Sequence, residues 1–174
     1  VVGIGNAVSD VIAITTDEFL IENQVEKGIM QLIDEPRAMA LFTAMQERAE
    51  TPGGSVANTI SGLGSLGIST AFIGRVADDD LGLSYANAMT AEGTDFPNPP
   101  IVNADLPTSR SMIFVSPDGE RSMNTYLGIS SDVSPLDVPE EIVSNCTFLF
   151  LEGYLFDKDP GKAAFRKAAD EAKK

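Results

Sequence analysis

Apolar and polar positions along the first part of the chain predict a series of short strands. Residues 1–5 form an apolar run typical of a buried strand. Residues 11–14 continue extended after a polar interruption at residues 6–10, and residues 28–33 form another strand. These runs are too short for helices and lie between polar or glycine-containing segments, so the chain is expected to begin with extended structure.

Helical periodicity begins after Asp34, which is placed to cap a helix that carries Pro36 in its first turn and ends before Pro52. The apolar stripe predicted for this helix consists of Met39, Phe42 and Met45.

A second helix is predicted directly after the pair Gly53–Gly54, with Ser55 as its cap and Asn58 in its first turn. Its apolar face is predicted to consist of Val56, Ile60, Leu63 and Leu66. A glycine pair before a helix allows a small polar ligand to approach the backbone, and the first N–H groups of the helix are free to bind its oxygens.

The remaining segments continue the alternation of strands and helices. The pattern predicts a buried strand at residues 70–74, a helix at 78–91, a hairpin of 111–115 with 121–126, a central parallel strand at 146–151 and a helix at 159–174. Alternation of this kind favours an α/β fold with a parallel sheet covered by helices. The hairpin and residues 11–33 are expected to form a small second sheet.

Composition narrows the classes of partner. The chain has 174 residues, 43% of them apolar, which is enough for one sizeable core. Its net charge of -14 argues against nucleic acid and anionic membranes, since both attract clustered Lys and Arg, and favours a small neutral ligand. No apolar run approaches the roughly 20 residues that span a bilayer, and no signal pattern is present, so a cytoplasmic protein is expected.

The content of reactive residues excludes several kinds of site. The chain contains no histidine, which removes Ser-His-Asp and Cys-His nucleophilic systems and histidine-based metal sites. Cys146 is the single cysteine and is predicted to be a core residue. Proton transfer within this chain would therefore depend on carboxylates, Lys or Tyr.

Two glycines at the end of the first strand, Gly3 and Gly5, invite comparison with a dinucleotide-binding loop. The third glycine and the following helix of that motif are missing, so a dehydrogenase is disfavoured. Asn6 and Asp10 can instead bind neighbouring hydroxyl groups, because a carboxylate accepts hydrogen bonds and an amide both donates and accepts them. The alternative is that both residues simply end the strand in an Asx turn.

The segment 51–67 together with 72–82 resembles the N-terminal signature of the ribokinase-like (PfkB) family of sugar and nucleoside kinases. The stretch Gly-Asn-Ala-Val-Ser-Asp at 5–10 resembles adenosine kinase-like members. The resemblance implies a mostly parallel central sheet with helices on both faces, and a small β-sheet lid whose strands lie within about 11–33 and 108–127. It implies that the substrate-binding residues are Asn6, Asp10, Gly53, Gly54, Ser55, Asn58 and Glu152.

The resemblance also implies a reaction, the ATP- and Mg²⁺-dependent phosphorylation of a hydroxyl group on a nucleoside or sugar. It accounts for only the N-terminal half of a typical member, so residues 1–174 are expected to be an incomplete ribokinase-like domain. The family's anion-hole loop and its catalytic aspartate belong to the other half, and no residue here is assigned a catalytic role. The lid of such proteins also offers a surface for a homodimer.

Several alternatives stay open on the sequence. Asp78, Asp79 and Asp80 could bind a metal ion, although capping of the following helix is the favoured interpretation and no metal site is expected. Arg121 is interpreted as a solvated charge at a strand edge. A noncatalytic module that senses a sugar or nucleoside, or a chain that chiefly assembles through its lid sheet, would also fit the same residues.

Overall fold

The computed structural model describes all 174 residues and contains two β-sheets and six α-helices. The strands are β1 (Val2–Ile4), β2 (Val8–Ile14), β3 (Met30–Leu32), β4 (Ala49–Gly53), β5 (Thr70–Ile73), β6 (Thr94–Asp95), β7 (Ser109–Val115), β8 (Arg121–Tyr126) and β9 (Leu149–Leu151). The helices are α1 (Asp17–Glu22), α2 (Glu35–Ala44), α3 (Ser55–Ser65), α4 (Asp80–Ala91), α5 (Glu140–Ser144) and α6 (Asp159–Glu171). Short 3-10 helices span Gly128–Asp132, Pro135–Asp137 and Gly153–Asp157.

The main sheet has four parallel strands in the order β6-β5-β1-β9. One face packs on α3 and α4 through Val56, Ile60, Phe72, Tyr85 and Met89. The other face packs on α5 and α6 through a separate cluster that includes Val2, Ile4, Val143, Ala164 and Phe165. The sheet is therefore covered by helices on both faces, as the sequence predicts, and its two central strands β1 and β5 are buried along their whole length.

A second sheet, here called the outer sheet, has five strands in the order β3-β8-β7-β2-β4. Strands β2 and β7 are parallel, whereas β4 pairs antiparallel with β2 and β8 antiparallel with β7. Helices α1 and α2 cover one face through an apolar cluster that includes Val11, Leu20, Leu41, Met112 and Phe114. The opposite face is not covered by a helix and is here called the open face.

Local signals located most of these elements correctly. Asp34 caps α2 by accepting a hydrogen bond from the N–H of Arg37 at 2.9 Å, and the hairpin of β7 and β8 closes through residues 116–120. The favoured interpretation of residues 78–80, capping of the following helix, is confirmed for Asp79: its Oδ1 accepts a hydrogen bond from the N–H of Gly82 at 2.8 Å and caps α4. Helix α4 thus begins at Asp80, two residues later than predicted.

The predicted faces of two helices were partly wrong. The buried side chains of α2 are Ala38 and Leu41 together with its cap Met45, whereas Met39 is 48% exposed. In α3, Leu66 is the C-terminal cap and is 79% exposed. Leu66 lies at the end of its helix, where the last residue of an apolar period points to solvent. Met39 lies inside α2, whose core-facing residues are Ala38 and Leu41, so the predicted stripe was out of phase at that position.

The strand predictions near the ends of the sheets also needed correction. Strand β2 begins at Val8 rather than at residue 11, which places Asp10 inside a strand and not in a turn that ends one. Strand β4, with the sequence Ala-Glu-Thr-Pro-Gly, was missed because it has no apolar alternation and exists by pairing with β2. Strand β9 covers only Leu149–Leu151 and lies at the sheet edge, so the interpretation as a central strand was wrong for this chain; Cys146 precedes it and is half-buried.

None of the helices has both the length and the apolar character that a bilayer crossing requires.

Candidate functional site

The candidate site lies where the two sheets are joined. The connection from β1 to β2 runs out of the main sheet through Gly5 and Asn6, and the chain returns from β4 into α3 through Gly54. Glu152 directly follows β9, the neighbour of β1. These segments meet at the carboxyl end of the parallel strands, which is where open α/β sheets bind their ligands.

Glycines at this junction allow the segments to approach closely. Gly54 has φ 101° and ψ 139°, and a Cβ atom there would lie well under 3.0 Å from the main-chain oxygen of Asn6. A Cβ atom at Gly5 would lie 2.9 Å from Val56 Cβ and 3.4 Å from Glu152 Oε1. The junction therefore needs residues without side chains at both positions.

Gly53 and Gly54 have different roles from the simple glycine turn predicted. Gly53 is the last residue of β4, and a Cβ atom there would lie well under 3.0 Å from the carboxyl carbon of Asp10. Gly54 is the N-terminal cap of α3, and no side chain caps the helix. The prediction of Ser55 as the cap was wrong, because Ser55 is already the first helical residue. Its hydroxyl lies beside the carboxyl group of Glu152.

Asp10 projects from β2 onto the open face of the outer sheet. Burial raises the pKa of its carboxyl group, and the guanidinium of Arg121 opposes this by lowering it. No hydrogen bond within the protein contributes to that shift. The carboxylate is thus partly desolvated and has its acceptor oxygens available to a ligand.

Asn6 is buried, with 7% of its surface exposed, and its amide is only weakly held. Ser130 Oγ lies 3.4 Å from Asn6 Oδ1 but 2.7 Å from the main-chain oxygen of Leu127. A hydroxyl group has one proton, and the shorter bond to Leu127 takes it. The amide of Asn6 therefore retains capacity to bind a further polar group.

Glu152 brings a second carboxyl group to the site. Burial raises its pKa, and the nearby hydroxyl of Ser55 acts in the opposite direction. Its Oε2 atom is fully buried without a hydrogen-bond partner. A buried acceptor without a donor is unfavourable, so this oxygen is well suited to accept a hydrogen bond from a hydroxyl group of a bound molecule.

Asn58 is less closely integrated than the other predicted residues. Its main-chain N–H donates to the oxygen of Gly54 at 2.9 Å, which ties it to the junction. Its side chain is exposed and makes no hydrogen bond within the chain. The structure therefore brings together Asn6, Asp10, Gly53, Gly54, Ser55 and Glu152, and leaves the side chain of Asn58 one helical turn away.

The open face of the outer sheet carries two distinct rows of side chains, which strand register defines. The polar row consists of Thr51, Asp10, Ser111 and Thr125 on adjacent strands, with a bond of 2.8 Å between Ser111 Oγ and Thr125 Oγ1, and it ends on β3 at the exposed Leu32. A parallel apolar row lies two residues away on each strand. It consists of Ala49, Ile12, Ile113, Met123 and Met30. A ligand held at Asp10 would thus contact polar groups at one end and an apolar strip at the other.

Two functional candidates were missed in the sequence. Arg121 was interpreted as a solvated edge charge, yet its guanidinium is near enough to Asp10 to affect the pKa of that carboxyl group. Tyr85, in α4, donates a hydrogen bond from its hydroxyl to the main-chain oxygen of Gly53 at 3.0 Å. If β2 is started at Val8, the strand register places Arg121 on the same face of the outer sheet as Asp10. No local sequence pattern identifies the hydrogen-bond partner of Tyr85.

Comparison with known proteins agrees with this architecture. Residues 31–174 match the model of the pfkB family carbohydrate kinases. Adenosine kinase from Sinorhizobium meliloti superposes with a TM-score of 0.89 at 45% sequence identity, over 99% of this chain and 52% of that one. A probable sugar kinase from Rhizobium etli gives a TM-score of 0.88 at 41% identity, over 99% of this chain and 52% of that one.

A curated relative points to the same family. The 5-dehydro-2-deoxygluconokinase of Halalkalibacterium halodurans is 30% identical over 124 residues, which are 70% of this chain and 38% of that protein. The chain thus spans about half the length of the solved relatives and less of the curated one. The family model covers most of its residues, and the fold agrees with those of the solved relatives: the chain belongs to the pfkB family of carbohydrate kinases.

Proposed function

We propose that the complete protein phosphorylates a hydroxyl group of a nucleoside, with adenosine or a similar ribonucleoside as the first candidate, and that this chain supplies the substrate-binding part. The observation that carries the proposal is the joint placement of Asp10, Asn6 and Glu152 beside the apolar row of the outer sheet. The high identity to an adenosine kinase supports the same substrate class.

The polar groups suit the ribose. The carboxylate of Asp10 accepts hydrogen bonds from two neighbouring hydroxyl groups, and the amide of Asn6 can donate to or accept from one of them. Glu152 Oε2, which has no donor in the chain, accepts a hydrogen bond from a further hydroxyl group. Because both carboxyl groups are partly desolvated, these hydrogen bonds are stronger than equivalent ones in water.

The apolar row favours a nucleoside over a free sugar. A sugar presents hydroxyl groups on most of its edges and gains little from a strip of aliphatic and thioether side chains. A planar base buries both of its faces and gains from such a strip through the hydrophobic effect and through sulfur–aromatic contacts with Met123 or Met30. The base would lie over Met123 and Met30, the second of which is 47% exposed, because Ile113 at the centre of the row is only 1% exposed and offers little surface to a ligand.

In this proposal residues 1–174 are an incomplete ribokinase-like domain, and the outer sheet is its lid. The two sheets are joined at the site by the β1–β2 and β4–α3 connections, so a rotation of the outer sheet about these connections would bring the open face down onto the substrate. Closure would exclude water from the transfer.

ATP and Mg²⁺ are the cosubstrate and metal that the family implies, and the proposal assigns no residue of this chain to them. No group of three or more His, Cys, Asp or Glu side chains is arranged to hold a metal ion. Residues outside these 174 would bind the nucleotide and its metal. The part of the chain described here binds and orients the hydroxyl-bearing substrate.

The proposal is tested by ADP release from the complete gene product with ATP, Mg²⁺ and separate samples of adenosine, other nucleosides, ribose, fructose and 5-dehydro-2-deoxygluconate. Turnover is expected with a nucleoside. In the Asp10→Asn variant, kcat/KM for that nucleoside should fall about ten- to a hundredfold, the effect of weakening hydrogen bonds to a charged acceptor. Asp95→Asn, which neutralises an exposed carboxylate on β6, should leave it unchanged.

The outcomes distinguish the candidate functions. Turnover of a sugar but of no nucleoside would contradict the argument from the apolar row. A rise in melting temperature with adenosine but no turnover of any compound would instead identify a sensing module.

The role of the apolar row is tested separately by Met123→Asn. This change should raise KM for the nucleoside about tenfold, since it replaces an apolar contact with a polar group. KM for ATP should not change. An unchanged nucleoside KM would show that the base binds elsewhere.

A further inference from the structure

Tyr85 is among the most deeply buried side chains of the protein, with 1% of its surface exposed. Its ring packs on α3 and the main sheet, 5.8 Å from the ring centre of Phe96 and 6.4 Å from that of Phe72. These two aromatic rings and the backbone of α4 fix its position. The hydroxyl group is thus held at a defined point in the part of the molecule that contains the main sheet.

The hydroxyl of Tyr85 reaches out of that layer to the other sheet. It donates to the main-chain oxygen of Gly53 at 3.0 Å, and Gly53 is the last residue of β4 in the outer sheet. One residue later Gly54 caps α3, so the chain passes from the outer sheet to a main-sheet helix without a linker. The hydrogen bond is therefore made at the point about which the two sheets can move.

Gly53 also determines where Asp10 lies. It pairs with Val8 in β2, and its Cα faces the carboxyl group of Asp10 at a distance that admits no side chain. The pKa of Tyr85 is raised well above its usual value by burial and by the negative charge of Asp10, so the group stays a protonated donor. A change in the position of Gly53 would move Asp10 relative to Asn6 and Glu152.

We infer that Tyr85 is a positioning residue: by holding the Gly53 carbonyl, its hydroxyl sets the orientation of the outer sheet on the main sheet and thereby the geometry of Asp10 in the substrate site. The inference rests on the proposed function for its kinetic consequence. Its structural consequence, a defined junction between β4 and α3, stands independently of the substrate.

The test is the Tyr85→Phe variant of the complete gene product, which removes the hydroxyl and keeps the ring. Thr94→Val is the matched control, because it removes a buried hydroxyl on β6, the edge strand of the main sheet, that lies 3.0 Å from the hydroxyl of Thr70 on β5. Hydrogen–deuterium exchange without substrate reports on the junction through the amide of Asn58, which bonds Gly54. Steady-state kinetics with the nucleoside and with ATP report on the site.

Tyr85→Phe should speed exchange at Asn58 and at residues 8–12, and raise KM for the nucleoside about three- to tenfold with KM for ATP unchanged. Thr94→Val should lower the melting temperature without either effect. Equal rises in KM for both variants, or unchanged exchange at Asn58 in Tyr85→Phe, would overturn the inference. If the unmodified protein phosphorylates no nucleoside, the proposed function fails while the exchange result still decides the role of Tyr85.

Discussion

Replacement of Gly54 by alanine perturbs the junction at its most constrained point. The residue combines a φ of 101° with a main-chain oxygen, that of Asn6, in the space a Cβ atom would fill. A backbone conformation of this type is essentially restricted to glycine and costs about 1–3 kcal/mol in other residues. The contact with Asn6 adds about 1–3 kcal/mol of overpacking, since a backbone oxygen cannot rotate away.

Two other glycines separate these contributions. Gly67 has φ +84° with no atom within 4 Å of an added Cβ, so Gly67→Ala carries only backbone strain, about 1–2 kcal/mol. Gly62 lies within α3, has an unstrained φ and is likewise open, so Gly62→Ala should stabilise the protein by about 0.5–1 kcal/mol. The three variants should therefore rank in stability as Gly62→Ala, Gly67→Ala, then Gly54→Ala.

The assay is urea denaturation of the complete gene product, followed by circular dichroism at fixed protein concentration. Gly54→Ala should lose about 2–6 kcal/mol of unfolding free energy relative to the unmodified protein, the sum of strain and overpacking. KM for the nucleoside should rise as well, because relief of the clash displaces Asn6. A Gly54→Ala protein as stable as Gly67→Ala would refute the argument that the two segments are in close contact.

Three further predictions follow from the carboxyl groups and the charge beside them. Burial raises the pKa of Asp10 above 3.8, so above that pH the folded protein binds more protons than the unfolded chain, and its stability falls as pH rises. Asp10→Asn should therefore be more stable than the unmodified protein at pH 7. In denaturation curves this difference should vanish below about pH 3.8. Glu152→Gln should behave alike, with its gain vanishing below about pH 4.5, and an equal gain at all pH values would contradict the assignment of a raised pKa. Arg121→Ala should raise the pKa of Asp10 further, measured by carbon NMR of the carboxyl group, and an unchanged value would place the guanidinium away from the site.

Elements with strong local signals could be predicted from the sequence. Asp34 with Pro36 marks the start of α2 because capping and the proline restriction act within four residues. The same holds for the hairpin turn at residues 116–120, where Gly119 has φ +85°. In such places the physical cause lies in neighbouring residues, and the printed sequence contains all of it.

Elements that form by pairing with distant parts of the chain could not be predicted from the sequence. Strand β4 contains Glu50, Thr51 and Pro52, which have no strand pattern, and it forms because β2 offers five partners to it. The contact of Tyr85 with Gly53 joins residues 32 apart through a main-chain oxygen, for which no side-chain pattern exists. The residues of the site were named through the resemblance to a family, and only the three-dimensional structure shows that Asn58 stands apart from the others.

The unfavourable burial of two carboxyl groups at the site supports its assignment to ligand binding. Two carboxyl groups, Asp10 and Glu152, lie where burial opposes their ionisation, and one oxygen of Glu152 has no donor. A purely structural role would satisfy such groups with donors from the fold, as Asp137 is satisfied by Arg75 Nε at 2.9 Å and by the N–H of Ser134 at 2.7 Å. In the proposed function, hydroxyl groups of a bound substrate would supply the missing donors, and binding would relieve the same desolvation that lowers the stability of the free protein. The stability gain of Asp10→Asn and its loss of substrate affinity are thus two measurements of one interaction.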